Sequence, residues 1–241
     1  MSDWKAKRFW EKADATQVEG GFSVTLDGRA IKTPAKSPLV MPSMAMALAV
    51  AKEWGAQEDQ IDPRTMPVTR SANAAIDKVT PQFAEVADLI AAYGGSDLLC
   101  YRADGPDTLV KRQKDRWDPL LERAKQEFEA PLNVTSGVIP VAQPEDSLAN
   151  LSKQVHAQTP FQLAGLHDLV SISGSLILGL AATRGWADLD ELWGLSRIDE
   201  TWQEEQWGED EEATALAESK RLEFLHAASF YELANPNAGA A

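Results

Sequence analysis

The chain has 241 residues, which is enough to bury one large hydrophobic core or two small ones. It carries 23 basic and 37 acidic side chains, and the formal net charge of −14 argues against nucleic-acid binding because that binding depends on Lys and Arg neutralising phosphates. The single cysteine, Cys100, excludes a disulfide framework and a cysteine-based metal site and favours a reducing compartment.

Residues 16–40 carry a pattern typical of a short β-meander. Three β-rich runs, TQVE, FSVTL and RAIKT, are separated by Gly20-Gly21 and Asp27-Gly28, and Asp-Gly between such runs is a strong hairpin signal. Alternate apolar residues of the middle run are predicted to share one face: Phe22, Val24 and Leu26. Because so small a sheet cannot stand alone, we expect it to pack on another element.

Most of the remaining chain shows helical periodicity. In the first helix Met44, Leu48 and Ala51 are predicted to share the buried face. Pro119 lies inside a long helical pattern and predicts a kink or a restart there. Residues 132–141 read as a strand pair or a bent strand that could return to the N-terminal sheet. Helices are predicted over 43–55, 68–79, 80–93, 107–129 and 145–157, and from 188 to the end with an interruption near Gly208.

The most apolar stretch, residues 161–183, predicts one long core helix. Its start carries a capping signal made by Thr159, Pro160 and Gln162. Its uncharged part is about 15 residues, shorter than the roughly 18 to 20 of a membrane span, so we expect no membrane insertion. Ser171, Ser175 and Gly179 recur every four residues and make one side small enough for close helix packing. Together these patterns predict an α+β fold, with a small β-rich N-terminal domain over 1–60 and a larger, mainly helical C-terminal domain over 61–241.

The search for catalytic motifs is negative. The sequence contains no phosphate-binding glycine loop, no nucleophile elbow and no metalloprotease helix. Glu223 and His226 have the spacing of half a di-iron site, but neither His156 nor His167 supplies the second half. We therefore predict no catalytic residue, no cofactor site and no metal site.

Residues 195–212, LSRIDETWQEEQWGEDEE, form the unusual stretch. It holds eight acidic residues and two tryptophans, with no basic residue after Arg197. One interpretation is a solvated helix face whose tryptophans turn to the core. The other is a recognition surface, in which aromatic anchors and carboxylates select a basic partner. Composition alone leaves both open.

Four blocks, taken in order, carry a family resemblance. They are GRAIKTPAKSPLVMPS, AKEWGAQEDQIDPRTMPVTRSANAAID, DLLCYRADGPDTLVKRQKDRWDPLL and LSRIDETWQEEQWG. Together they resemble the assembly chaperone of the F-type ATP synthase that holds the alpha subunit of the catalytic head. The similarity spans residues 8–233, and the lack of a transit peptide makes the chain similar to the bacterial form.

The resemblance implies a non-enzymatic protein that binds the free alpha subunit and prevents its aggregation until the beta subunit takes its place. It also implies a small β-rich domain followed by a helical one, and an important acidic position in the C-terminal helical block. Glu200 is the favoured match for that position, ahead of Asp199 and Glu204. The partner-binding candidates implied by this block are Asp199, Glu200, Trp202, Gln203, Glu204 and Trp207.

Two other functions remain as alternatives at this point. One is a hydrolase or metal enzyme with a carboxylate site in the acidic C-terminal segment, which would require carboxylates that converge in a pocket. The other is a general holdase without a particular client. For the chaperone we expect a monomer in the bacterial cytoplasm, whereas eukaryotic relatives would be expected in the mitochondrial matrix.

Overall fold

The computed structural model describes residues 7–137 and 139–236. The contacts divide the chain into two compact units. The first comprises the chain up to Phe83, Thr159–Gly165 and the chain from Ser229, and the second comprises Ala84–Gln158 and Leu166–Ala228. An N-terminal three-stranded sheet followed by a mostly helical chain confirms the predicted α+β class. The domain boundary at residue 60 stays a prediction.

The first unit is built on the predicted meander. Strands β1 (Ala13–Val18), β2 (Gly21–Leu26) and β3 (Arg29–Ala30) form an antiparallel sheet in chain order. Val24 and Leu26 of β2 are buried and Phe22 is half-buried. Ser23, between Phe22 and Val24, is buried as well, so the burial does not alternate strictly. Helix α1 (Met44–Gly55) contacts both β1 and β2 and supplies the packing that so small a sheet requires.

The predicted buried face of α1 is wrong in part. Ala51 is buried, but Met44 is 36% exposed and Leu48 is 57% exposed. The helix instead buries Met46, Ala47, Val50 and Ala51. Nearly every position of MAMALAVA is apolar, so its periodicity does not determine which side faces the sheet.

Further helical segments complete the first unit. They are a 3-10 turn at Pro63–Thr65, α2 (Pro67–Ala74), a π-turn at Ala75–Val79 and the start of α3 (Phe83–Ala91).

The capping box predicted at Thr159 is confirmed. Thr159 Oγ1 accepts from the Gln162 backbone N–H at 3.3 Å, and Gln162 Oε1 accepts from the Thr159 N–H at 3.0 Å.

In the second unit the central element is α4 (Asp107–Phe128), which contacts α5 (Glu145–His156), α7 (Leu176–Arg184) and α9 (Ile198–Trp207). The helix does not restart at Pro119.

Strand β4 (Tyr101–Arg102) follows 3-10 turns at Ala92–Ser96 and Leu98–Cys100. It pairs in parallel with β5 (Thr135–Ser136), so the predicted return of this segment to the N-terminal sheet is wrong. Strands of two residues carry too little pattern to specify a partner. Val138 of the predicted segment lies outside the described residues.

The prediction of one long core helix over 161–183 is also wrong. The stretch forms α6 (Pro160–Ser173) and α7, separated at Gly174, whose φ of +72° lies in the left-handed region that favours glycine. Ser175 then caps α7 by accepting from the Leu178 N–H at 3.0 Å. The small side is real, because a Cβ on Gly179 would lie 2.5 Å from Val170 Cγ2. Along the part of the chain that is described, no helix has both the length and the apolar character to cross a membrane.

A buried carboxylate fixes this break. Asp97 is fully buried and accepts hydrogen bonds from Ser175 Oγ at 2.7 Å and from the backbone N–H groups of Leu99 and Ile177 at 3.0 Å each. Burial raises the pKa of Asp97, and these hydrogen bonds act in the opposite direction. The carboxylate therefore ties the loop before β4 to the first turn of α7.

Candidate functional site

The acidic stretch spans parts of three consecutive helices. They are α8 (Leu189–Leu195), α9 and α10 (Glu211–Leu233), and the predicted interruption near Gly208 is confirmed. Gly208 has a φ of +92°, which favours glycine, and the Asp210 carboxylate begins α10 by accepting from the Ala213 N–H at 2.8 Å. A further break at Ser196 and Arg197, which the sequence analysis did not predict, separates α8 from α9.

One side of α9 faces α4. Ile198 is buried, and the Asp199 carboxylate accepts from Gln113 Nε2 at 2.5 Å. Gln113 is itself fully buried and its Oε1 accepts from the Ala103 N–H at 2.8 Å. The half-buried Trp202 ring lies under the Arg112 guanidinium, with 4.9 Å from Cζ to the ring centroid. Asp199 and Trp202 therefore hold α9 against α4.

An ion pair reinforces the same side. Both Glu205 carboxylate oxygens accept from the Arg112 guanidinium at 2.8 Å. This hydrogen bonding lowers the pKa of Glu205 and raises that of Arg112. The pair is partly exposed to solvent, so its geometric role in orienting α9 matters more than its energy.

The other side of α9 faces a cleft of about 430 Å³ shared with α10, here called the α9–α10 groove. Four of the six candidate residues line it: Glu200, Gln203, Glu204 and Trp207. Glu204 is paired with Arg197 at 2.9 Å, whereas the Glu200 side chain makes no hydrogen bond or ion pair with any other described residue. Trp207 is 80% exposed. The structure thus divides the predicted set into two positioning residues and four that face an open groove.

The opposite wall of the groove was missed by the sequence analysis. It is formed by Ala213, Leu216, Ala217 and Lys220 of α10. Their spacing of three and four residues puts them on one side of a helix, which the sequence could have indicated. Nothing in the sequence shows that this side of α10 meets α9.

The described residues contain no cluster of metal ligands. Among residues 7–137 and 139–236, no three His, Cys, Asp or Glu side chains are grouped so that they could hold a metal ion. The acidic residues of the groove stand on a surface, next to Arg197 and Lys220, and do not converge in an enclosed pocket. This arrangement lacks the converging carboxylates that the enzyme alternative requires.

Comparison with known proteins identifies the family. The family model described as ATP12 chaperone protein matches residues 7–125. The crystal structure of Atp12 from Paracoccus denitrificans is 50% identical and superposes with a TM-score of 0.94, and the match covers 97% of this chain and all of that chain. The chain belongs to the ATP12 chaperone family. ATP12 chaperones are non-enzymatic assembly factors for the ATP synthase, so the enzyme alternative is set aside.

Other members of the ATP12 family extend the similarity. The Atu1473 protein of Agrobacterium tumefaciens, a candidate chaperone, is 42% identical with a TM-score of 0.88 over 93% of this chain and 84% of that chain. The mitochondrial protein atp12 of Schizosaccharomyces pombe is 25% identical over 86% of this chain and 75% of its own length. The match to mitochondrial ATP12 of Saccharomyces cerevisiae covers 61% of that protein.

Proposed function

We propose that this protein binds the free alpha subunit of the catalytic head of the F-type ATP synthase. It shields the surface destined for the beta subunit and prevents aggregation until the beta subunit replaces it. We further propose that it acts as a monomer in the bacterial cytoplasm, without a cofactor. Family membership supports the general role, and the outer side of α9 supports the site.

The observation that carries the proposed site is the pairing state of Glu200. Two other carboxylates of α9 are already engaged, since Glu204 is bonded to Arg197 and Glu205 to Arg112. Glu200 is exposed and unpaired, and it lines the same groove as the exposed Trp207 ring. A groove that offers both an aromatic anchor and a carboxylate without a cation is what a partner with a basic side chain would recognise.

The comparisons offer independent support for testing an acidic position by charge reversal. The Paracoccus Atp12 has also been solved as a variant in which one aspartate is replaced by lysine, with the same TM-score of 0.94 and 50% identity to this chain. A reversal of charge on that scaffold is therefore compatible with its fold. We expect the same of Glu200→Lys here, because the side chain is exposed and makes no contact that the fold requires.

The experiment is co-purification of tagged protein with the alpha subunit, followed by a light-scattering assay of alpha-subunit aggregation. Wild-type protein should recover alpha without beta and suppress aggregation, and it should not protect an unrelated unfolding protein equally well. Glu200→Lys should weaken alpha binding by ~3 kcal/mol, roughly 100-fold, because a like charge would face the partner's basic side chain.

Glu85→Lys is the matched control. Glu85 is exposed, has no described partner and lies in the first turn of α3, just as Glu200 lies in the first turn of α9. The two substitutions therefore change charge and helix-terminal electrostatics equally. If Glu200→Lys binds alpha as well as Glu85→Lys does, Glu200 has no part in the contact.

A further inference from the structure

The first half of α10 has almost no packing of its own. In residues 211–223 every side chain is exposed except Ala217 and Arg221, which are half-buried. Two leucines of this segment, Leu216 and Leu222, are 59% and 56% exposed. Burial begins abruptly at Phe224, which is fully buried. Since helices in proteins derive most of their stability from tertiary packing, a helical segment this exposed, with two leucines in solvent, points to a surface that a partner covers.

Two charged side chains of the groove have no partner among the described residues. The side chains of Glu200 on the α9 wall and Lys220 on the α10 wall make no hydrogen bond or ion pair with other described residues. Arg197 and Glu204 neutralise each other, and Asp210 accepts a backbone hydrogen bond at the start of α10. The groove therefore presents one free carboxylate and one free ammonium group on opposite walls.

Much of the remaining lining of the groove is apolar. Trp207 lies at the end of α9, and Ala213, Leu216 and Ala217 lie along α10. The small alanine side chains leave room for a close approach, and Leu216 and Trp207 supply contact area. Seven residues separate Glu200 from Trp207 and Ala213 from Lys220, so each wall is about 10 Å long, which is two turns of helix.

We infer that the α9–α10 groove receives an amphipathic helical segment of the client. The segment has an apolar side against Leu216 and Trp207, a basic residue opposite Glu200 and an acidic residue opposite Lys220. This inference rests on the proposed function for the identity of the client, and it adds the chemistry of the contact. Two helical walls with an apolar lining and one unpaired charge on each match helix-in-groove recognition. Because the two charges are opposite, they select the direction in which the segment lies.

The first test compares two leucines of the same helix. Leu216 and Leu222 are almost equally exposed, but only Leu216 lines the groove. Leu216→Asn should weaken binding of the alpha subunit about tenfold, whereas Leu222→Asn should leave it within about twofold of wild type, because only one substitution removes apolar contact from the client. Circular dichroism of both variants checks that α10 still forms.

The second test addresses the charges. Lys220→Glu should weaken binding about tenfold, and Lys114→Glu, on a lysine of α4 whose side chain is also exposed and unpaired, should not. The double reversal Glu200→Lys with Lys220→Glu keeps the net charge of the groove but exchanges the positive and negative charges between its two walls. It should bind no better than the weaker single variant, because the charges of the client segment would both be mismatched.

The outcomes separate this inference from the proposed function. If wild-type protein does not bind the alpha subunit, both fail. If wild type binds but Leu216→Asn equals Leu222→Asn, or the double reversal restores full affinity, the groove inference fails and the proposed function stands. A photo-crosslinking residue at position 216 identifies the occupant directly. The labelled client peptide should have helical apolar spacing flanked by one basic and one acidic residue, and an extended or uniformly basic peptide would refute the inference.

Discussion

Gln113 links the core of the second unit to the candidate site, and its substitution should reveal that link. The side chain is fully buried, accepting from the Ala103 N–H and donating to the Asp199 carboxylate. Gln113→Leu leaves the amide of the half-buried Ala103 and one half-buried carboxylate without these partners. Each loss costs about 1 to 3 kcal/mol, so the free energy of unfolding should fall by ~2 to 4 kcal/mol.

Gln113→Glu gives a sharper test, because it keeps the shape and the acceptor for Ala103. It places a second carboxyl group at the position of Nε2, 2.5 Å from the Asp199 oxygen. Two carboxylates this close cannot both ionise without cost, so one folded-state pKa rises above its ordinary value of about 4. A raised folded-state pKa gives stability that is fully present below the unfolded pKa and is lost as pH rises through the folded value.

The measurement is urea unfolding of wild type and both variants at pH 4.5 and pH 8. Gln113→Glu should lose ~2 kcal/mol or more relative to wild type at pH 8 and recover most of that difference at pH 4.5. Gln113→Leu should be destabilised about equally at both values. An equal loss for Gln113→Glu at both pH values, or a loss below ~0.5 kcal/mol for Gln113→Leu, would show that this side chain does not hold α9 in place.

Two further predictions concern the second unit. Asp97→Ala leaves the Ser175 hydroxyl and two buried backbone amides without an acceptor, so the free energy of unfolding from denaturant titration should fall by ~3 to 5 kcal/mol, and a near-neutral change would refute the tie to α7. The hydrogen bond that His167 Nδ1 donates to Asp168 Oδ1, at 2.9 Å, raises the pKa of His167 above its ordinary value of 6.5. The stabilisation from this hydrogen bond is therefore present below about pH 6.5 and is lost as pH rises through the folded-state pKa. His167→Gln should lower the thermal midpoint relative to wild type at pH 5.5 but not at pH 9. A loss of equal size at both pH values would refute the assignment.

The sequence predicted the fold best where local chemistry decides it. The meander follows from two glycine-containing turns, and the capping box of α6 follows from Thr159 and Gln162. The break after α6 was missed, although Gly174 followed by Ser175 is a helix stop followed by a cap. Its strength depends on Asp97, which is 78 residues away from Ser175, and no local pattern indicates such a contact.

The candidate site shows the same division. The acidic composition and the family resemblance indicated α9 and favoured Glu200, but they placed Asp199 beside it among the partner-binding candidates. The helix turns them to different sides, so that Asp199 meets Gln113 while Glu200 faces the groove. The α10 wall was missed because Leu216 and Lys220 are unremarkable in sequence. They gain meaning only from the turn that places them across from α9.

That turn has a consequence for how the groove behaves between clients. Only three residues, from Gly208 to Asp210, join the two walls. A connection this short closes with little loss of chain entropy, so the walls can stay in register when nothing lies between them. The groove is then a template formed in advance, and binding does not have to order it. Lengthening the turn by a few glycines would relax the template without altering any side chain that a client touches.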